Sequence, residues 1–178
     1  MALLHQGLTA WRATGTELAR PHYLALLAEA YGIVGQPEEG LTAVTEALAL
    51  VHKTGERRYE AELYRLKGEL TLQKAGTRGW GPGASSSSPQ ALSLKPQVPS
   101  GVAQEAEECF LKAVDIARRQ SAKSWELRAV MSLSRLWQRQ GKRDEARQML
   151  AEIYNWFTEG FDIKDLQEAR ALLEELSR

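Results

Sequence analysis

The 178-residue sequence lacks the features of several large protein classes. Its one cysteine, Cys109, cannot form a disulfide within the chain and is most simply a small core residue. No apolar run approaches the ~18 residues that a membrane-spanning helix requires. The first residues have no basic start or small-residue cleavage site, so they do not resemble a signal peptide. We therefore expect a soluble, cytoplasmic protein.

The sequence also has no excess of positive or negative charge, because 23 Lys and Arg balance 23 Asp and Glu. No overall field would recruit nucleic acid or an anionic membrane, and neither is an expected partner. A local basic cluster, between Arg135 and Arg147, is interrupted by Asp144 and Glu145. It could contact nucleic acid, but a solvated helix surface is the simpler interpretation.

The common catalytic and metal-binding motifs are missing as well. The sequence contains no GxxxxGK[ST], no HExxH and no GxSxG. His5, His22 and His52 are scattered without the spacing of metal ligands. We predict a protein that is not an enzyme, with no catalytic residues, no cofactor and no metal.

What is present is a repeated helical pattern, clearest in residues 21–50. Leu24, Leu27 and Tyr31 fall on one helical face. Gly35 is suited to end that helix, and Pro37 to begin the next. Such a pair of helices, with small residues at the crossing, is the tetratricopeptide pattern. One hairpin cannot bury its apolar face alone, so we expect neighbours.

The neighbours follow from a period of 40 residues, with one step of 66 across an insertion of 26. In the first helices the corresponding residues are Leu24, Leu26 and Ala28; Tyr64, Leu66 and Gly68; and Val130, Ser132 and Ser134. In the second helices they are Gly40, Val44 and Ala47; Ala106, Phe110 and Ala113; and Ala146, Leu150 and Ile153. We predict that these positions form the core.

The predicted fold is therefore all-α, a tetratricopeptide-type right-handed superhelix of helical hairpins that forms one domain. Its parts are a partial repeat (2–14), repeat one (17–51), repeat two (57–119), repeat three (126–157) and a C-terminal capping helix (162–177). Because residues 2–14 would be a second helix without its first, the chain is expected to begin within a repeat. Asp162 is the predicted cap of the last helix.

Repeat two is interrupted by residues 76–101, which are dense in Gly, Pro and Ser and contain no carboxylate. This composition cannot bury enough apolar surface to offset the entropy of ordering, so we predict a disordered insert. Trp80 could anchor the insert or lie in solvent.

With these residues laid out, the chain resembles the C-terminal tetratricopeptide region of bacterial proteins that join a class III adenylate/guanylate cyclase domain to an AAA-type ATPase domain. Similar tails occur in STAND-type regulators. The resemblance covers most of the chain outside the insert, with segments such as RPHYLALLAEAYG and GERRYEAELYRLKGEL. It implies a tail that senses or docks a partner and regulates catalytic parts that this chain does not contain.

In such repeats the first helices line a concave groove. The resemblance places six charged residues in that groove: Glu62, Arg65, Glu69, Arg128, Arg135 and Arg139. The last three have no acid among the groove positions of their own helix, and arginine presents a planar fork to carboxylates. We expect this groove to bind an acidic segment, although an ordinary polar surface is the alternative.

The function predicted from sequence is a non-catalytic interaction and regulatory scaffold. Its partner would be a protein or peptide, or the upstream domains of the same parent protein. A domain that senses a small molecule or nucleotide is the alternative, and it should enclose a polar pocket between repeats. The N-terminal helix, with Leu3, Leu4, Leu8 and Trp11, could also support self-association or could fray.

Overall fold

The computed structural model describes Gly7, residues 19–76 and residues 99–178, and these residues are all-helical without a strand. Gly7 is helical, and the rest of the predicted partial repeat lies outside the described residues. The described helices are α1 (Arg20–Ile33), α2 (Pro37–Thr54), α3 (Glu60–Lys74), α4 (Ser100–Arg119), α5 (Lys123–Gln140), α6 (Arg143–Tyr154) and α7 (Lys164–Leu176). The predicted all-α class is confirmed.

The helices pack as successive pairs. Within pairs, α1 packs on α2, α3 on α4 and α5 on α6, and the second helix of each pair contacts the first helix of the next element. The first helices also contact one another in the order α1, α3, α5 and α7. Helix α3 is therefore flanked by α1 on one side and α5 on the other, and this position determines the surroundings of its polar residues.

Glycine and proline set the turns inside the pairs. Gly35 adopts a φ of 75°, in the left-handed region that L side chains rarely occupy, and Pro37 is the first residue of α2. Gly141, with a φ of 84°, ends α5 in the same way. These two turns allow each second helix to return along its first helix.

The residues that the 40-residue period predicts for the core are buried, with one exception. All nine second-helix positions are buried, including Phe110 and Leu150, which are completely enclosed. The exception is Leu26 in α1, which is 43% exposed although the corresponding Leu66 and Ser132 are buried. The difference arises because α3 and α5 each have a first helix on both sides, whereas no described helix precedes α1.

The structure corrects two expectations about where helices begin. Helix α7 begins at Lys164 after Ile163, without a side-chain cap, so the prediction that Asp162 caps it is wrong. Instead the backbone carbonyl of Asp162 accepts a hydrogen bond of 3.0 Å from Gln167 Nε2. Ser100 and Gly101, assigned to the disordered insert, are helical residues of α4.

Most of the predicted insert, including Trp80, falls on residues 77–98, which lie outside the described residues. Helix α6 ends at Tyr154, so the last residues assigned to repeat three belong to its connection with α7. No helix in the described ranges is long and apolar enough to cross a bilayer.

Overpacking at Ser134 tests the register of the third pair. Ser134 is fully buried between α5 and α6, where its hydroxyl donates a hydrogen bond of 3.2 Å to the carbonyl of Ala146. Ser134→Leu should lower the free energy of unfolding by about 1–3 kcal/mol, because the larger side chain must separate the two helices. Urea denaturation measures the change, with Ser134→Ala as the milder control, and an unchanged midpoint for the leucine variant would contradict the register.

Candidate functional site

The three α3 residues assigned to the groove lie inside the protein. Glu62, Arg65 and Glu69 are only 5%, 3% and 8% exposed, so they do not line an open channel. The reason is the packing of α1 and α5 on both sides of α3. The charged residues that the sequence placed in the α3 part of the groove are therefore buried between helices.

Arg65 forms the centre of this buried set. Its Nη2 and Nε atoms donate to the two carboxylate oxygens of Glu62, at 2.6 and 2.8 Å, and its Nη1 atom lies 2.6 Å from Oε1 of Glu69. The two-point contact with Glu62 is the geometry that a planar guanidinium offers to a carboxylate. Burial disfavours the charged guanidinium of Arg65 and by itself would lower its pKa. The two carboxylates outweigh this effect, so the pKa of Arg65 is raised.

Glu69 extends the set to α5. Its Oε1 atom accepts a hydrogen bond of 2.8 Å from the buried hydroxyl of Ser132. Burial alone would raise the pKa of Glu69, but the charge of Arg65 and the Ser132 hydrogen bond outweigh it and lower the pKa. The carboxylate therefore remains ionised inside the protein.

The other groove arginines are paired with acids from neighbouring helices. Arg128 Nη2 lies 3.2 Å from Glu29 of α1 and 3.1 Å from Glu62 of α3. Arg135 Nη2 lies 3.1 Å from Glu168 of α7. The sequence-based expectation of arginines without a neutralising acid is wrong for these two, because the acids come from other helices.

These contacts fall into two groups, which we together call the ionic seam: Glu29, Glu62, Arg65, Glu69, Arg128 and Ser132 in one, and Arg135 with Glu168 in the other. It joins all four first helices. Arg139 lies at the surface one turn beyond Arg135, and partial burial together with the charge of Arg135 lowers its pKa. The seam joins the first helices. Arg139 is not part of the seam, and it is the most exposed of the three arginines that the sequence assigned to the groove.

A second feature lies where the pairs are connected. The amide of Ala19 donates to Glu56 Oε2 at 3.3 Å, and Gln120 Nε2 donates to the carbonyl of Arg57 at 2.7 Å. At the next connection, Lys123 Nζ lies 5.7 Å from the ring centroid of Trp156. Each inter-pair connection therefore contacts the next along one edge of the protein.

Aromatic rings follow the same edge. His22 stacks on Tyr59 with ring centroids 4.4 Å apart, and Tyr59 meets Trp125 edge-on at 6.1 Å. The guanidinium of Arg128 lies 5.4 Å from the Trp125 ring, which connects this row to the ionic seam. We call the edge the inter-repeat rim, defined by residues 55–59, 120–122 and 155–163 with His22, Lys123 and Trp125.

The sequence reasoning missed the rim, although a signal was present. Tyr59 and Trp125 are 66 residues apart, the same step that relates the core positions of repeats two and three. The equivalent residue in the first pair is Ala19, which has no ring, and His22 supplies one from the next turn. An aromatic residue at the start of the first helix is therefore shared by the second and third pairs only.

Two kinds of candidate site can be examined in the described part of the chain, metal-ligand clusters and nucleophiles. No three His, Cys, Asp or Glu residues there converge as a metal site. Cys109 is buried, and burial raises the pKa of its thiol, which makes it a poor nucleophile. A shallow cavity between α6 and α7 is lined by Tyr154, Phe161, Gln167, Arg170, Ala171 and Glu174. Its two charged residues already pair with each other at 3.2 Å.

No protein-family profile and no curated protein sequence matches this chain.

Proposed function

We propose that the chain is a non-catalytic protein-interaction scaffold of the tetratricopeptide type, a right-handed superhelix closed by α7. In this proposal it is a cytoplasmic regulatory tail of a larger signalling ATPase or cyclase. One observation carries the proposal: the core residues of the paired helices recur at steps of 40 residues, or of 66 across the insertion, and charged groups between the first helices join them. A structure of this kind presents surface rather than a reaction centre.

The predicted alternative, a sensor of a small molecule or nucleotide, needs a polar pocket between the first helices. In the described residues that space holds the ionic seam, in which Arg65 already satisfies two carboxylates. A ligand entering there would have to replace those contacts. The seam therefore favours the interaction scaffold over the sensor.

The two functions can be separated with the complete chain. The scaffold proposal predicts no change in melting temperature with ATP, GTP, cyclic AMP or cyclic GMP. It also predicts discrete protein adducts when cells that encode the chain are treated with an amine-reactive crosslinker. The adducts should disappear for Arg65→Ala, whose fold we expect to be damaged. A nucleotide-dependent rise in melting temperature without protein adducts would favour the sensor and contradict the scaffold.

A further inference from the structure

We propose that residues 2–14 dock as a helix on the open face of α1 in the same chain, as α2 docks on α3. This assigns an occupant to the first helix that no described helix precedes. The inference rests on the repeat arrangement of the proposed scaffold and specifies how that arrangement ends at its N-terminal edge. Apart from Gly7, residues 2–14 lie outside the described residues. The surface of α1 and the sequence of residues 2–14 support the assignment.

The open face of α1 is apolar at positions that are buried in α3. Three leucines of α3 are at most 3% exposed and pack in one cluster with residues of α1 and α2: Leu63, Leu66 and Leu70. The residues 40 positions earlier are Tyr23, Leu26 and Ala30, and the first two are 38% and 43% exposed. The preceding pair covers this face in α3, so the equivalent face of α1 is suited to a preceding helix.

Residues 2–14 carry the sequence pattern with which α2 covers α3. Two of the α2 residues on the covering face are fully buried and the third is partly buried against the same cluster: Val44, Val51 and Leu48. The residues 40 positions earlier are all large and apolar: Leu4, Trp11 and Leu8. The exposed α2 residues Thr45, Ala49 and His52 correspond to polar residues: His5, Thr9 and Arg12. The segment therefore has one apolar and one polar side in the register of α2.

The connection to α1 resembles the connection between α2 and α3. Residues 14–15 and 54–55 are both Thr-Gly, and the second glycine ends α2 with a φ of 74°. Helix α1 begins 40 residues before α3, so the two connections have the same length. Ala19 has a φ of 62°, whereas its equivalent Tyr59 has a φ of -102°, so the two paths differ in detail. We therefore assign the flank that meets α1 and leave the crossing angle open.

The neighbours of α2 identify that flank. Glu46 pairs with Arg20 of α1, whereas Leu48 also packs against a second cluster whose buried residues come from α3 and later helices. The Leu48 flank thus faces the next first helix, and its equivalent in the N-terminal segment is Leu8. Gly7 is helical and exposed, and an added Cβ would have no neighbour within 4 Å. An open Gly7 fits a helix that meets α1 through the Leu8 flank and has no first helix on its other flank.

A second copy of the chain is the competing occupant. The exposed residues of α7 are, apart from Ala171, polar: Lys164, Gln167, Arg170, Glu174 and Glu175. The C-terminal end of another copy therefore offers no apolar surface to α1, and a second copy would have to meet it with its own α1. Residues 2–14 have the advantage of a short connection, which gives them an effective concentration on the order of millimolar at this face.

Hydrogen exchange of the complete chain, measured by mass spectrometry, tests the proposal. An isolated helix as short as residues 2–14 is marginal in water, so protection of its amides reports docking. We expect these amides to exchange at least about tenfold more slowly than in the free peptide of the same sequence. The protection should be the same at low and high protein concentration, and light scattering should give the mass of a monomer at both.

Matched variants test the assigned flank. Leu8→Glu places a carboxylate between the segment and α1, so it should speed exchange of residues 2–14 about tenfold and also speed exchange of α1. Leu3→Glu makes the same change on the flank beside Gly7 and should leave both close to the parent. Leu26→Glu, on α1, should act like Leu8→Glu, and the two together should add little, because they remove the same contact. Unchanged exchange of α5 confirms that each variant is folded.

Three results would overturn the proposal. The first is exchange of residues 2–14 at the rate of the free peptide. The second is protection that appears only at high concentration together with a dimer mass, which would assign the face to a second copy. The third is an equal effect of Leu3→Glu and Leu8→Glu. None of these results alters the crosslinking test of the scaffold, so protein adducts with an unprotected segment would reject only this docking. Missing adducts with a protected segment would reject only the scaffold.

Discussion

Replacing Arg65 with alanine should lower the free energy of unfolding by about 3–5 kcal/mol, because it leaves buried carboxylates without their counter-charge. Glu62 and Glu69 are 5% and 8% exposed, so water cannot take the place of the guanidinium. Glu62 retains Arg128, and Glu69 retains only the Ser132 hydroxyl among the short contacts of its carboxylate. Chemical denaturation at pH 7 measures the loss.

Two control variants test whether unpaired buried charge causes the loss of stability. Arg170→Ala removes an ion pair whose side chains are 73% and 60% exposed, and it should cost at most about 1 kcal/mol. The triple change Glu62→Gln, Arg65→Met, Glu69→Gln should cost less than Arg65→Ala alone, since it leaves no charge at any of the three positions. An Arg65→Ala protein as stable as the parent would show that the seam does not hold the first helices together.

Acidification should reduce the effect of Arg65→Ala. The pKa of Glu69 is lowered in the folded protein, so its ionised form stabilises the fold above the unfolded-state pKa. That contribution is lost as the pH falls through the lowered folded-state value. The difference between parent and variant should therefore be complete at pH 7 and should shrink in strongly acidic solution, which gives the measurement an internal check.

Replacing Phe110 with alanine is the second change with a large expected effect. The Phe110 side chain is fully buried, and it packs directly over Gly68 of α3. Removing the ring leaves a cavity between α3 and α4, at a cost of about 3–5 kcal/mol in the free energy of unfolding. The neighbouring Leu111→Ala, at a 41% exposed position, should cost about 1 kcal/mol or less.

Gly68→Ala tests the close fit between Gly68 and Phe110. A Cβ atom at Gly68 would lie 2.5 Å from Cε1 of Phe110, so in the parent protein the substitution should cost about 1–3 kcal/mol despite the better helix propensity of alanine. In the Phe110→Ala background the obstruction is gone, and the same change should be neutral or stabilise by up to about 1 kcal/mol. Gly101→Ala, in α4 with nothing near its Cβ, is the matched control. Equal effects of Gly68→Ala in both backgrounds would contradict this packing.

The apolar core could be predicted from the sequence because its signal is local and periodic. Val44, Phe110 and Leu150 occupy one position of a helical pattern that recurs at fixed steps, and all three are buried. Burial of an apolar residue needs no knowledge of which helix covers it. The same pattern correctly placed the small residues Gly68 and Ser134 at helix crossings.

The polar interior could not be predicted in the same way. Glu62, Arg65 and Glu69 follow the spacing of a solvent-facing stripe, and only the packing of α1 and α5 against α3 encloses them. The partner of Arg128 in α1, Glu29, is 99 residues away in the sequence, so no local rule connects the two. The start of α7 was also predicted imprecisely. Asp162 lies one residue before the N-cap, Ile163, and its backbone carbonyl, not its carboxylate, accepts the hydrogen bond from Gln167.

Site-specific photo-crosslinking tests the central claim most directly, because it reports where a partner touches the intact protein. A photoreactive amino acid would replace Arg58 in the rim, Gln138 on the first-helix face or Arg147 on the surface of α6, each in the complete chain within its own cells. The account predicts adducts with a partner protein from at least one of these positions, and their loss when Arg65→Ala is added. The absence of protein adducts from all three positions would contradict the account.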